Sequence, residues 1–215
     1  MKGTIASVLL ALTGIVVLAD EHPVGMPADK AMALLMEGNR RYVVHKETHP
    51  DATLERRHEL EGSQHPFAVV VGCADSRVPP ELLFDAGLGD LFVIRVAGNV
   101  VDDVVLGSVE YAVEHLGVKL VLVLGHESCG AVTAAVNHVK EAHITSIVDA
   151  IRPALAESKG QQGDPVHNCV VTNARLGARQ LRESKPVMAE AVSVGGVRVL
   201  AAVYDLKTGK VNLLK

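Results

Sequence analysis

Three short runs of almost wholly apolar sequence, at residues 67–71, 91–96 and 120–124, constrain the fold more than any other feature of the chain. A strand with one face in water alternates polar and apolar residues. A strand apolar at nearly every position has to be covered on both faces, as in a parallel sheet. Helical patterns separate the runs, at residues 104–116 and 129–139. This alternation predicts βαβ units and a doubly wound α/β fold. Ahead of the first run, Ala31, Leu34, Leu35 and Tyr42 recur at helical spacing after Pro27, which predicts an N-terminal helical arm over residues 28–44. Residues 54–61 read as a charged, solvated helix, and two more helices are expected at 144–157 and 166–183. The end of the chain differs. Residues 197–204 alternate as a strand, Lys207-Thr208-Gly209 is turn chemistry, and residues 211–214 are expected to return as an antiparallel edge strand. The whole reads as one α/β domain over residues 20–215, a mostly parallel sheet flanked by helices.

The first 19 residues stand apart from that domain. Met1-Lys2 opens with a positive charge, residues 5–19 are apolar except for Ser7, Thr13 and Gly14, and Ala19 precedes Asp20-Glu21. This is the pattern of a secretory signal peptide, and the segment is too short to span a bilayer. An exported, periplasmic protein with no membrane attachment after cleavage is expected. A formal net charge of -4 excludes a basic nucleic-acid binder, and three Cys in 215 residues are too few for a disulfide scaffold. Neither G-x-G-x-x-G nor a P-loop is present, so nucleotide binding has no motif to rest on.

The chemistry concentrates in two segments that begin where apolar runs end. One is Gly72-Cys73-Ala74-Asp75-Ser76-Arg77, the other Gly125-His126-Glu127-Ser128-Cys129-Gly130. In open α/β sheets ligand sites form at the carboxyl ends of strands, where both loops fall. They offer two thiolates and one imidazole, a donor set that zinc accepts while a fourth position stays open. A lone His-x-x-Cys pair says little. Its conjunction with Cys-x-Asp-x-Arg after a different strand says much more.

That conjunction, with its flanks, resembles the β-class carbonic anhydrases. The resemblance extends through Glu37-Gly38-Asn39-Arg40-Arg41-Tyr42, Asp90-Leu91-Phe92-Val93-Ile94-Arg95, Val96-Ala97-Gly98-Asn99 and Glu110-Tyr111-Ala112-Val113 to Ala202-Val203-Tyr204-Asp205. It implies one zinc ion per subunit on Cys73, His126 and Cys129, and Asp75 with Arg77 as the catalytic pair. Asp75 is also the implied fourth ligand of a closed state. The implied activity is reversible hydration of CO2 to bicarbonate and a proton by zinc-bound hydroxide. Two thiolates cancel the metal's charge, so rates are expected to rise towards alkaline pH. Ser76, Gly98 and Gly130 are the substrate-binding candidates, and a homodimer or dimer of dimers is implied.

Some residues resist this reading. Where relatives often carry a Gln, this chain has Ala86, which leaves the substrate-positioning group unassigned. No residue stands out as a proton shuttle: His65 and His115 are candidates, but a structural or surface role is the preferred reading of each. Cys169 fits the buried face of a helix. Gly98-Asn99 is either plain turn chemistry or a close backbone approach. Hydrolysis of carbonyl sulfide or carbon disulfide on the same scaffold, a catalytically silent zinc-binding module, and purely structural zinc are the rival functions.

Overall fold

The computed structural model describes residues 25–215, so the leader assigned to residues 1–19 lies outside the described residues. Five strands form one sheet: β1 (Ala68–Gly72), β2 (Leu91–Arg95), β3 (Leu120–His126), β4 (Arg198–Tyr204) and β5 (Val211–Leu213). Their order is β2-β1-β3-β4-β5; the first four run parallel and β5 pairs antiparallel with β4. The helices are α1 (Ala28–Val43), α2 (Leu54–Glu59), α3 (Pro80–Leu83), α4 (Asp103–His115), α5 (Gly130–Val136), α6 (Ile144–Ser158), α7 (Pro165–Glu183) and α8 (Val187–Ser193). The expected α/β architecture and antiparallel edge strand are thus present. Among the described residues no helix is long and apolar enough to cross a membrane.

The sheet separates two buried layers, and the period-2 alternation of strands decides which residue enters which. Val70, Leu120, Leu122 and Leu124 pack with Leu35, Leu83 and Ile151 on one side. Val69, Val71, Val121 and Val123 pack with Val105, Val109, Leu181 and Met188 on the other. Every residue of β1 and β3 is buried, as all-apolar runs require. β2 departs from that expectation: all five of its residues are only half-buried, because it is the sheet's edge. β4, read from sequence as alternating, is buried at five of its seven positions, since Ala201 and Ala202 sit between helices on both faces.

Helix boundaries follow local chemistry. Asp102 caps α4 by accepting from the N–H of Val105 (2.8 Å), and Asp164 caps α7 by accepting from those of Val166 and His167, with Pro165 in the first turn. α5 stops at Val136, short of the residue 139 expected, and His138 beyond it adopts φ 55°. α3 and α8, with four and seven residues, had no periodicity long enough to read. The topology also places a crevice. From β1 the chain crosses to β2 on one side, and after α4 returns to β3 on the other. Between the carboxyl ends of β1 and β3 lies the switch point where such sheets build their sites.

Candidate metal centre

Cys73 follows the last residue of β1, His126 ends β3, and Cys129 immediately precedes α5. One ligand atom from each lies within 4.8 Å of the others, and all three residues are buried. Ser128, at φ 53°, turns the chain so that Cys129 folds back towards His126. The two sulfurs are 4.0 Å apart, far beyond the ~2.05 Å of a disulfide. They match the ~3.8 Å that two thiolates show when each stands ~2.3 Å from a tetrahedral zinc ion. His126 donates from Nδ1 to the carbonyl oxygen of Glu127 at 2.9 Å. Its Nε2 is then the lone-pair nitrogen, buried and without a hydrogen-bond partner. A buried lone pair without a hydrogen-bond partner beside two free thiols is a donor set that fits a zinc-like metal.

The backbone prepares the sulfurs for charge. Cys73 Sγ accepts from the N–H of Gly98 (3.2 Å) and the N–H of Asp75 (3.4 Å). The hydrogen bond from Cys129, together with these amides, holds the Cys73 thiol well below the ordinary thiol range. Cys129 shifts the opposite way, because its hydrogen bond to Cys73 and its burial both resist a second negative charge. Only a cation between the two sulfurs makes both thiolates favourable together.

Asp75 lies outside the three-residue cluster but beside it, with Oδ2 3.8 Å from His126 Nε2. Arg77 grips both carboxylate oxygens: its backbone N–H and Nε donate to Oδ1 at 2.9 Å each, and Nη2 donates to Oδ2 at 2.7 Å. These hydrogen bonds hold the Asp75 carboxyl far below the usual carboxylate range. Arg77 Nη2 also reaches the carbonyl of Ser128 (3.4 Å), which ties the two site loops together.

The candidates thus separate. Cys73, His126, Cys129, Asp75, Arg77 and Gly98 converge. Gly98 is no mere turn residue: it sits at φ 69°, and a Cβ there would stand 2.7 Å from Ile151 Cδ1. Ser76 and Gly130 are exposed on the same loops, and a Cβ on Gly130 would meet nothing within 4 Å. His65 and His115 do not come to the site. His65 precedes β1 and His115 ends α4, so the length of the strands separates both from Cys73. Cys169 is fully buried on α7, as its helical pattern implied. Sequence reasoning missed two supports. Arg95 donates from Nε to the carbonyl of Cys73 (2.8 Å) and from Nη2 to that of Asp75 (2.5 Å), and Asn173 donates to the carbonyl of Gly98 (2.8 Å). An arginine closing an otherwise apolar strand was the one visible signal.

Fold and site together define a metal-binding α/β enzyme with its centre at the sheet's switch point. The profile of the family described as carbonic anhydrase matches residues 68–211. A carbonic anhydrase of Mycolicibacterium smegmatis is 39% identical over 188 residues, covering 85% of this chain and 91% of that one. Carbonic anhydrase 2 of Mycobacterium tuberculosis is 36% identical with the same coverage. Among solved structures, a β-carbonic anhydrase of Aspergillus fumigatus superposes with a TM-score of 0.69 at 30% identity, covering 87% of this chain and 91% of that one. A Coccomyxa β-carbonic anhydrase crystallised with acetazolamide gives 0.66 at 29% identity, covering 85% and 86%. The chain belongs to the carbonic anhydrase family, in its β class.

Proposed function

We propose that this protein is a zinc enzyme that reversibly hydrates CO2 to bicarbonate and a proton, with Cys73, His126 and Cys129 as the residues that hold the metal. The observation that carries the reading is the buried Nε2 of His126, which has no hydrogen-bond partner and lies within 4.8 Å of the sulfurs of two free thiols and beside an ionised carboxylate. Zinc in this place supplies a Lewis acid that brings the pKa of water towards neutrality, less strongly with two thiolates than with three imidazoles.

The protein's own part is orientation. Asp75, kept ionised and fixed by Arg77, is placed to accept a hydrogen bond from the attacking water and turn a lone pair towards the carbon of CO2. For Asp75 to become a fourth ligand, its paired hydrogen bonds with Arg77 would have to loosen. Ser76 and Gly130, exposed beside the ligands, and Gly98, buried against Cys73, remain the substrate-binding candidates of this reading. Export through a cleaved leader over residues 1–19 and assembly into dimers or pairs of dimers belong to the same reading.

Stopped-flow CO2 hydration by the zinc-loaded protein tests it. The wild type should far exceed the buffer rate, and Asp75→Asn should lower kcat by roughly a hundredfold, in the range of a lost acid–base or orienting group. Wild type and variant both at the buffer rate would overturn the assignment. Carbon disulfide run in parallel separates CO2 chemistry from its sulfur analogues.

A further inference from the structure

Gly98 touches the centre through one peptide group and is gripped through the next. Its N–H donates to Cys73 Sγ, and its carbonyl accepts from Asn173 Nδ2 at 2.8 Å. Asn173 stands 75 residues further along, on the third turn of α7, and is only 7% exposed. Gly98 itself lies in the left-handed region at φ 69°, where the missing side chain leaves the peptide planes on both sides free to turn. An N–H aimed at a sulfur from such a residue keeps its aim only while something fixes the neighbouring carbonyl. Asn173 is that fixture. The second donor to Cys73, the amide of Asp75, is the longer contact, so the Gly98 bond matters more.

Given a zinc ion on Cys73, His126 and Cys129 as proposed above, we propose that Asn173 is a positioning residue for the metal centre, acting through Gly98 on the sulfur of Cys73. An N–H···S bond orients the sulfur and draws charge from it. Without the bond, the sulfur loses the contact that fixes its place in the donor set, and the grip on the metal weakens. α7 thereby controls how firmly a site holds its ion although it supplies no ligand.

The test uses the full chain. Asn173→Asp keeps the shape but, ionised, cannot donate; Asn173→Ala removes the group. Titration against a competing chelator should show zinc held roughly tenfold more weakly in both, in line with the loss of a supporting hydrogen bond. In the cobalt-loaded forms the sulfur-to-metal charge-transfer band should move to longer wavelength, since the thiolate donates more freely. Cys169→Ala, one turn earlier on α7, loosens the same helix without touching Gly98 and should leave both readouts at wild-type values. In cadmium-loaded wild type, the Gly98 amide proton should show scalar coupling to the metal across Cys73, which needs no variant. Unchanged affinity and band in folded Asn173 variants, or no coupling at Gly98, overturns the role of Asn173 alone. A wild-type chain that binds no zinc overturns the reading of the site.

Discussion

Asp85 shows how a single buried charge is made tolerable. Its side chain is fully buried, yet its carboxylate accepts from Arg41 Nε (2.5 Å), the N–H and hydroxyl of Thr48 (3.0 Å each) and the N–H of His49 (2.9 Å). Burial pushes the carboxyl up, but these donors outweigh it and bring it down to about 2 from an ordinary 3.8. Because the folded value lies below the unfolded one, the stabilisation is present above the unfolded value. It is lost as pH falls through the folded one, and amounts to about 2 kcal/mol. Asp85→Asn should therefore lower unfolding free energy at pH 7 by about that much, and should flatten its decline between pH 4 and pH 2 in denaturant titrations. Little of this was legible beforehand. Cys73, His126 and Cys129 announced themselves because metal ligation needs particular residue types on strand ends. Asp85, Arg95 and Asn173 work on backbone groups of distant segments, and an amide or carbonyl leaves no mark in composition. His65 and His115 could be weighed only by residue type, since a histidine's chemistry says nothing of which end of the sheet it occupies; both lie away from the site, in keeping with the structural or surface reading preferred for them.

At the scale of elements, the all-apolar runs carried the fold because burial on both faces leaves no alternative pattern. α3 and α8, of one and two turns, escaped notice because so short a helix has no period to detect. α1, expected as an arm, lies against its own chain: Ala31 and Leu35 are fully buried, and Asn39 donates to the carbonyl of Leu83 (3.0 Å) and accepts from the N–H of Val211 (2.9 Å). Gly38 makes this approach possible, since a Cβ there would sit 1.7 Å from the carbonyl oxygen of Phe84, a backbone atom that cannot step aside. Gly38→Ala should cost roughly 3 kcal/mol of stability in thermal or denaturant unfolding, the scale of severe overpacking. A variant as stable as wild type would mean that α1 can lift off without consequence.

For the whole molecule, the metal centre and the core are continuous, as Cys73 and Cys129 belong to the same buried cluster as Leu122 and Ile151. Removing zinc should therefore loosen the fold as well as stop catalysis. If the site is filled at a thousand times its Kd, binding contributes about 4 kcal/mol, so chelation should lower Tm by roughly 10 °C in calorimetry. A second whole-molecule feature is β2, whose Leu91, Phe92, Val93 and Ile94 remain half-buried at the sheet's edge. An apolar edge of this kind is a hazard unless something covers it, and a second copy of the chain is the simplest cover. Sedimentation equilibrium should give a mass of at least two chains, and Val93→Lys should shift it towards one.

The three side chains proposed to hold the metal stand at the ends of β1 and β3, neighbours in space that have β2 and the helices α3 and α4 between them in the chain. No short stretch of the polypeptide therefore contains the site, and a chain still being threaded through a membrane would have nowhere to carry an ion. An exported copy would have to load where it folds, so the zinc supply of that compartment, rather than that of the cell interior, would set how much of the enzyme is active.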